Sequence, residues 1–202
     1  MRIAIITSIQ DPAGRNIREA LQSLYPWEQG RLRRNATLTL HEIEQDTVEY
    51  EHIDKDIEAD IIVFATKHQS RSGIPSFSVH VPGNFGEPMF GGEHGHLCPA
   101  QADLMYHCLH RLADLQEGSN LPHEVVYEAT HHGPATDTPT MFIEIGSQEK
   151  YWKDPQAGKI VAQALIEGID QLGTATPPAI IGIGGLHTCP SFTKLALRRQ
   201  AM

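Results

Sequence analysis

Histidine and glutamate dominate the chemistry-bearing strings of this 202-residue sequence. The sharpest is Tyr127-Glu128-Ala129-Thr130-His131-His132-Gly133-Pro134, which follows a strand signal and ends in a turn. Neutral imidazole is the commonest metal ligand and also a proton shuttle near neutral pH. A carboxylate a few residues away can complete a metal site or orient a ring from behind. No HExxH motif is present, so the bland alternative, His131 capping the turn and His132 packing, stays open. Gly91-Gly92-Glu93-His94-Gly95-His96 is a second string, either a ligand-binding loop or a solvated one. The third is Gly182-Ile183-Gly184-Gly185-Leu186-His187, whose GxGG can line a phosphate and whose His187 is a catalytic or metal candidate. Glu144 inside Met141–Ile145 and His80 between two valines are expensive to bury unless partnered, so each is a site residue or a satisfied core group. There is no GxSxG elbow. Cys98 before Pro99 reads as a helix-start thiol of lowered pKa, a weak basis for a Cys–His dyad, whereas Cys108 lies on an apolar helix face.

These strings need elements to hold them, and strand and helix patterns alternate along the chain. Strands are predicted over 3–7, 36–43, 60–65, 77–81, 124–130, 140–145 and 179–183. Helices are predicted from Asp11-Pro12 to Pro26, from Pro99 to about 115, and over 154–172 with Asp154 as cap. The glycine- and proline-rich stretch 67–98 reads as a functional loop or lid around one short strand. The expected fold is a single α/β domain with a mixed, mostly parallel sheet flanked by helices and covered on both faces. In such sheets sites gather at the carboxyl ends of strands, which is where the polar strings fall.

Composition is that of a globular chain, 40% hydrophobic and 20% charged, with no apolar run long enough to span a membrane. The short apolar N-terminus reads as a first core strand rather than a signal peptide. Three cysteines without a CxxC argue against a disulfide framework and for the cytoplasm. The net charge of −9 is concentrated: residues 41–60 hold nine acids and one base, leaving 16 acids against 15 bases elsewhere. Basic groups at Arg31–Arg34, at Lys67 with His68 and Arg71, and at Lys194 with Arg198 and Arg199 therefore permit a polyanionic partner without demanding one.

Several strings together are more specific than any alone. Thr7-Ser8 with Asp11-Pro12-Ala13 and Asn16-Ile17-Arg18, and His80-Val81-Pro82-Gly83-Asn84-Phe85-Gly86 with Gly91-Gly92, resemble one family. So do Glu128–Pro134, Glu144-Ile145-Gly146-Ser147, Trp152–Gly158 and Gly184-Gly185-Leu186-His187. The sequence is similar, from about residue 3 to 197, to the archaeal and plant type of D-aminoacyl-tRNA deacylase. That resemblance implies a fold like nucleoside phosphorylases and peptidyl-tRNA hydrolases. It implies zinc, one or two ions, and hydrolysis of the ester joining a D-amino acid such as D-tyrosine to tRNA, a chiral proofreading step in translation quality control. The matching site positions are His80, Asn84, Glu128, His131, His132, Glu144 and His187. Thr188 stands where the family usually has tyrosine, and family members usually continue well past this point. The domain is therefore expected to lack the family's C-terminal portion.

The resulting expectation is a hydrolase with Glu128, His131, His132 and His187 as catalytic candidates. His80, His131, His132, Glu144 and His187 are candidate zinc ligands. Asn84, Gly91, Gly92, Gly184, Gly185 and Lys67 are candidate substrate contacts. A remaining His or Glu would protonate the leaving ribose oxygen, and Lys67, Arg71 and the Lys194–Arg199 group would touch phosphates at the acceptor end of tRNA. A monomer acting on tRNA, with neither DNA nor membrane as partner, is expected. Two rivals stay open: a metal-independent nucleoside- or phosphate-binding enzyme using Gly184-Gly185, and a non-catalytic tRNA-binding protein.

Overall fold

The computed structural model describes residues 1–27 and 36–198. The element order is β1 (Arg2–Ser8), α1 (Pro12–Leu24), β2 (Thr37–Ile43), β3 (Ile61–Gln69), β4 (Ser76–His80), α2 (Ala102–Glu117), β5 (Glu124–Tyr127), β6 (Thr140–Ser147), α3 (Glu149–Trp152), α4 (Pro155–Asp170) and α5 (Pro190–Leu197). The sheet order is β2-β1-β3-β6-β4-β5. Strands β2, β1, β3 and β6 run parallel, β4 is antiparallel to β6, and β5 is parallel to β4. This is the single mixed, mostly parallel α/β domain that the sequence predicts.

Period-two alternation divides the strands between two faces. On one face Ile3, Ile5, Val63, Ala65, Val79, Met141, Ile143 and Ile145 join apolar residues of α1, α2, α4 and α5 in the main core. On the other, Ala4, Ile6, Ile62, Phe64 and Phe142 meet Ile43 and Ile53, with Val48, Tyr50 and Ile57 packed against them. Both faces are covered, but the second is covered by the acidic segment, through single 3₁₀ turns at Thr47–Glu49 and Ile53–Lys55. Its apolar residues face inward while its acids cap other loops.

The helix starts follow their caps. Asp11 accepts from the Ala13 and Gly14 N–H groups through Oδ1, and from the Lys67 N–H through Oδ2. One N-cap thereby ties α1 to the end of β3. Asp154 caps α4 by accepting from Gln156 N–H.

Three expectations are corrected. Helix α2 begins at Ala102, not Pro99, so Cys98 lies outside any helix start. Its Sγ faces the Pro134 carbonyl and the Thr136 N–H, burial pushes the thiol up, and no Cys–His dyad forms. The apolar run 179–183 is not a strand: Ile181 and Ile183 are each 91% exposed. The outward edge it would have joined is already occupied, because Tyr127 N–H donates to Thr193 Oγ1 and Ala129 N–H donates to the His187 carbonyl. The Arg31–Arg34 group and Arg199 lie outside the described residues.

Candidate functional site

The site lies on the face of the sheet opposite the helices, rather than along one row of strand ends. Because β4 runs against β6, their carboxyl ends point in opposite directions, and what the strands share is a face. Thr66, Glu144 and Ser78 are register neighbours across β3, β6 and β4. Two residues along, His68 extends the patch on β3 and His80 ends β4. Gly146 sits beside His68 in the register, where a Cβ would come within 3.1 Å of the His68 ring and 2.4 Å of Ser76 Oγ. The glycine leaves room for that imidazole.

Glu144 is the anchor. Thr66 Oγ1 donates to one carboxylate oxygen at 3.0 Å and Ser78 Oγ to the other at 3.1 Å. His80 Nε2 and His68 Nδ1 each stand 3.7 Å from the Ser78-bound oxygen. Glu128, just past β5, carries a second carboxylate with 0% side-chain exposure. His187 Nε2 lies 3.0 Å from it, His68 Nδ1 3.3 Å and His131 Nε2 3.8 Å, yet neither carboxylate oxygen gains an aligned hydrogen bond. The His80 Nε2 atom is equally unpartnered and fully buried.

Charge states follow from these surroundings. Burial alone would raise the Glu128 carboxyl, but His187, His68 and His80 outweigh it and hold it well below the usual carboxylate range. Burial, reinforced by His80 and His132, pushes His131 down to about 2. The same cause, with His80, pushes His132 down to about 4. Both rings are therefore neutral and present lone pairs. For His68 and His80 burial acts downward, but Glu128 and Glu144 prevail and raise them.

Backbone geometry aims the outer members. His132 adopts φ 43°, a left-handed conformation costly for a non-glycine residue. It is held by close-packed glycines: a Cβ on Gly91 would fall 1.7 Å from the Val48 carbonyl oxygen, and one on Gly133 2.2 Å from the Gly92 nitrogen. Glu51 bridges the two loops, accepting from Gly92 N–H with one oxygen and from Ala135 N–H at 2.6 Å with the other. Asn84 Nδ2 donates to the Gly91 carbonyl. His187 is held by the Ala129-to-His187 backbone bond, and its side chain is 46% exposed.

Three groups of donor atoms can hold a metal ion: His80, His131 and His132; His68, Glu128 and His187; and His80, Glu128 and Glu144, each within 4.8 Å. Mixed imidazole–carboxylate sets suit a borderline divalent cation. The unpartnered buried oxygens of Glu128 and the unpartnered His80 Nε2 are what such an ion would satisfy, so the residues fit one.

The five sequence-predicted ligands and Glu128 thus come together. The other candidates do not join them. Asn84, Gly91 and Gly92 shape the loop behind His132, while Gly184 and Gly185 have positive φ and no heavy atom within 4 Å of where a Cβ would stand. Glu93 pairs with His52, His94 with Glu87, and His96 with the Thr136 carbonyl. Lys67 lines the cavity but faces Asp46 at 3.5 Å. Thr66 and His68 stood out only as part of a strand-end polar string, and neither they nor Ser78 and Glu51 were named as site residues from sequence. Thr66 and His68 had a signal, since they continue the alternation of β3 beyond Ala65. Glu51 had none, because it is one acid among nine.

The cavity over this patch measures about 840 Å³. His131, His132, Glu144 and His187 line it together with Lys67, Arg71, Phe90 and Trp152.

Fold and site together define an α/β protein with a buried histidine–carboxylate centre opening into a substrate-sized cavity. A family model described as D-aminoacyl-tRNA deacylase matches residues 55–202. A D-aminoacyl-tRNA deacylase of Methanosphaerula palustris is 37% identical over 201 residues, 99% of this chain and 44% of that protein. One from Thermococcus kodakarensis is 34% identical over 212 residues, 98% of this chain and 76% of that protein. The crystal structure of a conserved protein of unknown function superposes with a TM-score of 0.85 at 30% identity, covering 98% of this chain and 72% of the other. The chain belongs to the D-aminoacyl-tRNA deacylase family. It spans under half the length of the Methanosphaerula relative.

Proposed function

We propose that the protein hydrolyses the ester bond of D-aminoacyl-tRNA, releasing the free D-amino acid and tRNA. The observation that carries this reading is a buried, ionised Glu128 directly facing a half-exposed His187 at the cavity wall. His80, His131 and His132 would hold a zinc ion, with the Val81 carbonyl fixing His80 from behind at Nδ1. When bound there, zinc supplies Lewis-acid polarisation of the ester carbonyl.

His187 Nδ1 takes the proton as a water oxygen attacks the carbonyl carbon, and Glu128, which faces Nε2, stabilises the imidazolium that forms. As the bond between the acyl carbon and the ribose oxygen breaks, His187 returns that proton to the ribose oxygen, so one residue serves as base and then acid. A cavity wall that clashes with an L side chain would give the chiral preference, a steric device rather than an attractive one. Lys67 and Arg71 would meet the phosphates of the acceptor end.

The deciding experiment compares D-Tyr-tRNA with L-Tyr-tRNA, with and without chelator. Release of D-tyrosine only, abolished by chelation and restored by zinc, is expected. Activity that survives both chelation and the double change His131→Ala with His132→Ala overturns the metal-site assignment. Equal hydrolysis of both enantiomers overturns the proofreading role.

A further inference from the structure

An apolar loop held by backbone hydrogen bonds reaches the cavity at Phe90. Phe85, Met89 and Phe90 are 78, 83 and 70% exposed. Their exposure is not that of a loose excursion. The loop is closed at its base by Asn84 N–H donating to the His96 carbonyl and by a bridge between Gly83 and Leu97. Higher up, Gly95 N–H donates to the Gly86 carbonyl at 3.2 Å. The Phe90 carbonyl accepts from Gly133 N–H at 2.9 Å, which fixes Phe90 one residue from His132. Phe90 also lines the cavity itself. Three large apolar side chains held in water by an ordered backbone mark a contact surface, because the loop gains nothing from them in the free protein.

We propose that Phe90, with Met89 and Phe85 on the same loop, is a stacking platform for the unpaired 3′-terminal nucleotides of an RNA. This rests on the reading that the cavity takes the aminoacylated end of tRNA and extends it to the strand that must leave that cavity. A chain emerging from beside His132 passes over Phe90. The loop carries Glu87 and Glu93 and no lysine or arginine, so it meets base faces rather than phosphates. The phosphates would meet Lys67 and Arg71, which line the same cavity. Aromatic stacking is the usual way to hold single-stranded RNA at its ends, and it tolerates any base. A pre-ordered loop loses little conformational freedom when the strand arrives.

The test uses an unacylated single-stranded RNA ending in cytidine-cytidine-adenosine, labelled for fluorescence anisotropy, so that it does not depend on hydrolysis. Phe90→Ala is expected to weaken binding roughly 5- to 150-fold, the range for loss of one stacked base. Phe90→Tyr is expected to restore it. The slope of affinity against salt should be unchanged by Phe90→Ala and shallower by about one ion in Arg71→Ala. In parallel, Phe90→Ala should raise KM for D-aminoacyl-tRNA and change kcat little, with a smaller effect on D-aminoacyl-adenosine, which lacks the two cytidines. Binding indifferent to Phe90→Ala overturns the platform. So does a KM effect confined to D-amino acids with aromatic side chains, which would place Phe90 against the amino acid. A protein that binds the oligonucleotide through Phe90 but hydrolyses no D-aminoacyl-tRNA would refute the activity and leave the platform standing.

Discussion

The two faces of strands β3, β4 and β6 are built from alternate residues of the same short strings, yet they do opposite work. Ala65, Val79, Ile143 and Ile145 point into the helix-covered core. Their chain neighbours Thr66, Ser78, His80 and Glu144 point the other way, into the site. A one-residue slip in any of these strands would exchange the two sets. The apolar face supplies the register, and the register then places the chemistry. Each face also contains imidazole, with different consequences. His123 stacks on Phe77 at 4.3 Å with both ring nitrogens unpartnered, beside the apolar core. His80 is as deeply buried, but Glu144 faces it.

The sharpest way to break this comparison is to mutate neighbours. Glu144→Ala strips the partner from His80, Thr66 and Ser78 at once, and removing one member of a buried charged network costs about 3–5 kcal/mol. Ile143→Val, one residue away on the other face, should cost about 0.5–1.5 kcal/mol. Urea unfolding measures both. A Glu144→Ala loss no larger than that of Ile143→Val would show that the polar face is not a coupled unit.

The next effect is on positioning. Glu51 touches none of the clustered histidines, but it binds both loops that hold His132 in its left-handed conformation. Glu51→Ala should lower kcat/KM and metal affinity by roughly 10- to 100-fold, the usual cost of losing an outer support. Gly133→Ala, which drives a Cβ into the Gly92 nitrogen, should reproduce that loss. Unchanged metal affinity in both would mean that the loop does not set the cluster.

A separate effect concerns pH. Burial holds His123 down at about 4, whereas in the unfolded chain it titrates near 6.5. Below about pH 6.5 the unfolded state takes a proton that the folded state refuses until about pH 4. Stability from this residue is therefore present above pH 6.5, falls between 6.5 and 4, and levels off below. His123→Phe, which keeps a ring on Phe77, should flatten that part of the stability profile measured by thermal melting. A profile of unchanged slope would assign the acid sensitivity elsewhere.

Much of this was legible in the sequence, for identifiable reasons. A carboxylate in Met141–Ile145 and a histidine between Val79 and Val81 interrupt apolar strands, and an apolar strand keeps a charge only where it has a partner. The Glu128–Pro134 string marked itself by density. The run 179–183 misled because local apolarity cannot report that the edge of β5 is already taken by Thr193 and His187.

By itself the sequence determined the alternation of strands and helices, the caps at Asp11 and Asp154, and the residue types of the centre. All of these are local properties, carried by spacing of two or 3.6 residues and by side-chain chemistry. Only the tertiary structure decided that β4 runs against β6, that the site therefore occupies a face, and that His68 joins it. It also showed that Glu51 and three glycines lock His132 in place. These depend on pairings between residues that are distant in the chain, and no local pattern encodes which strand lies beside which.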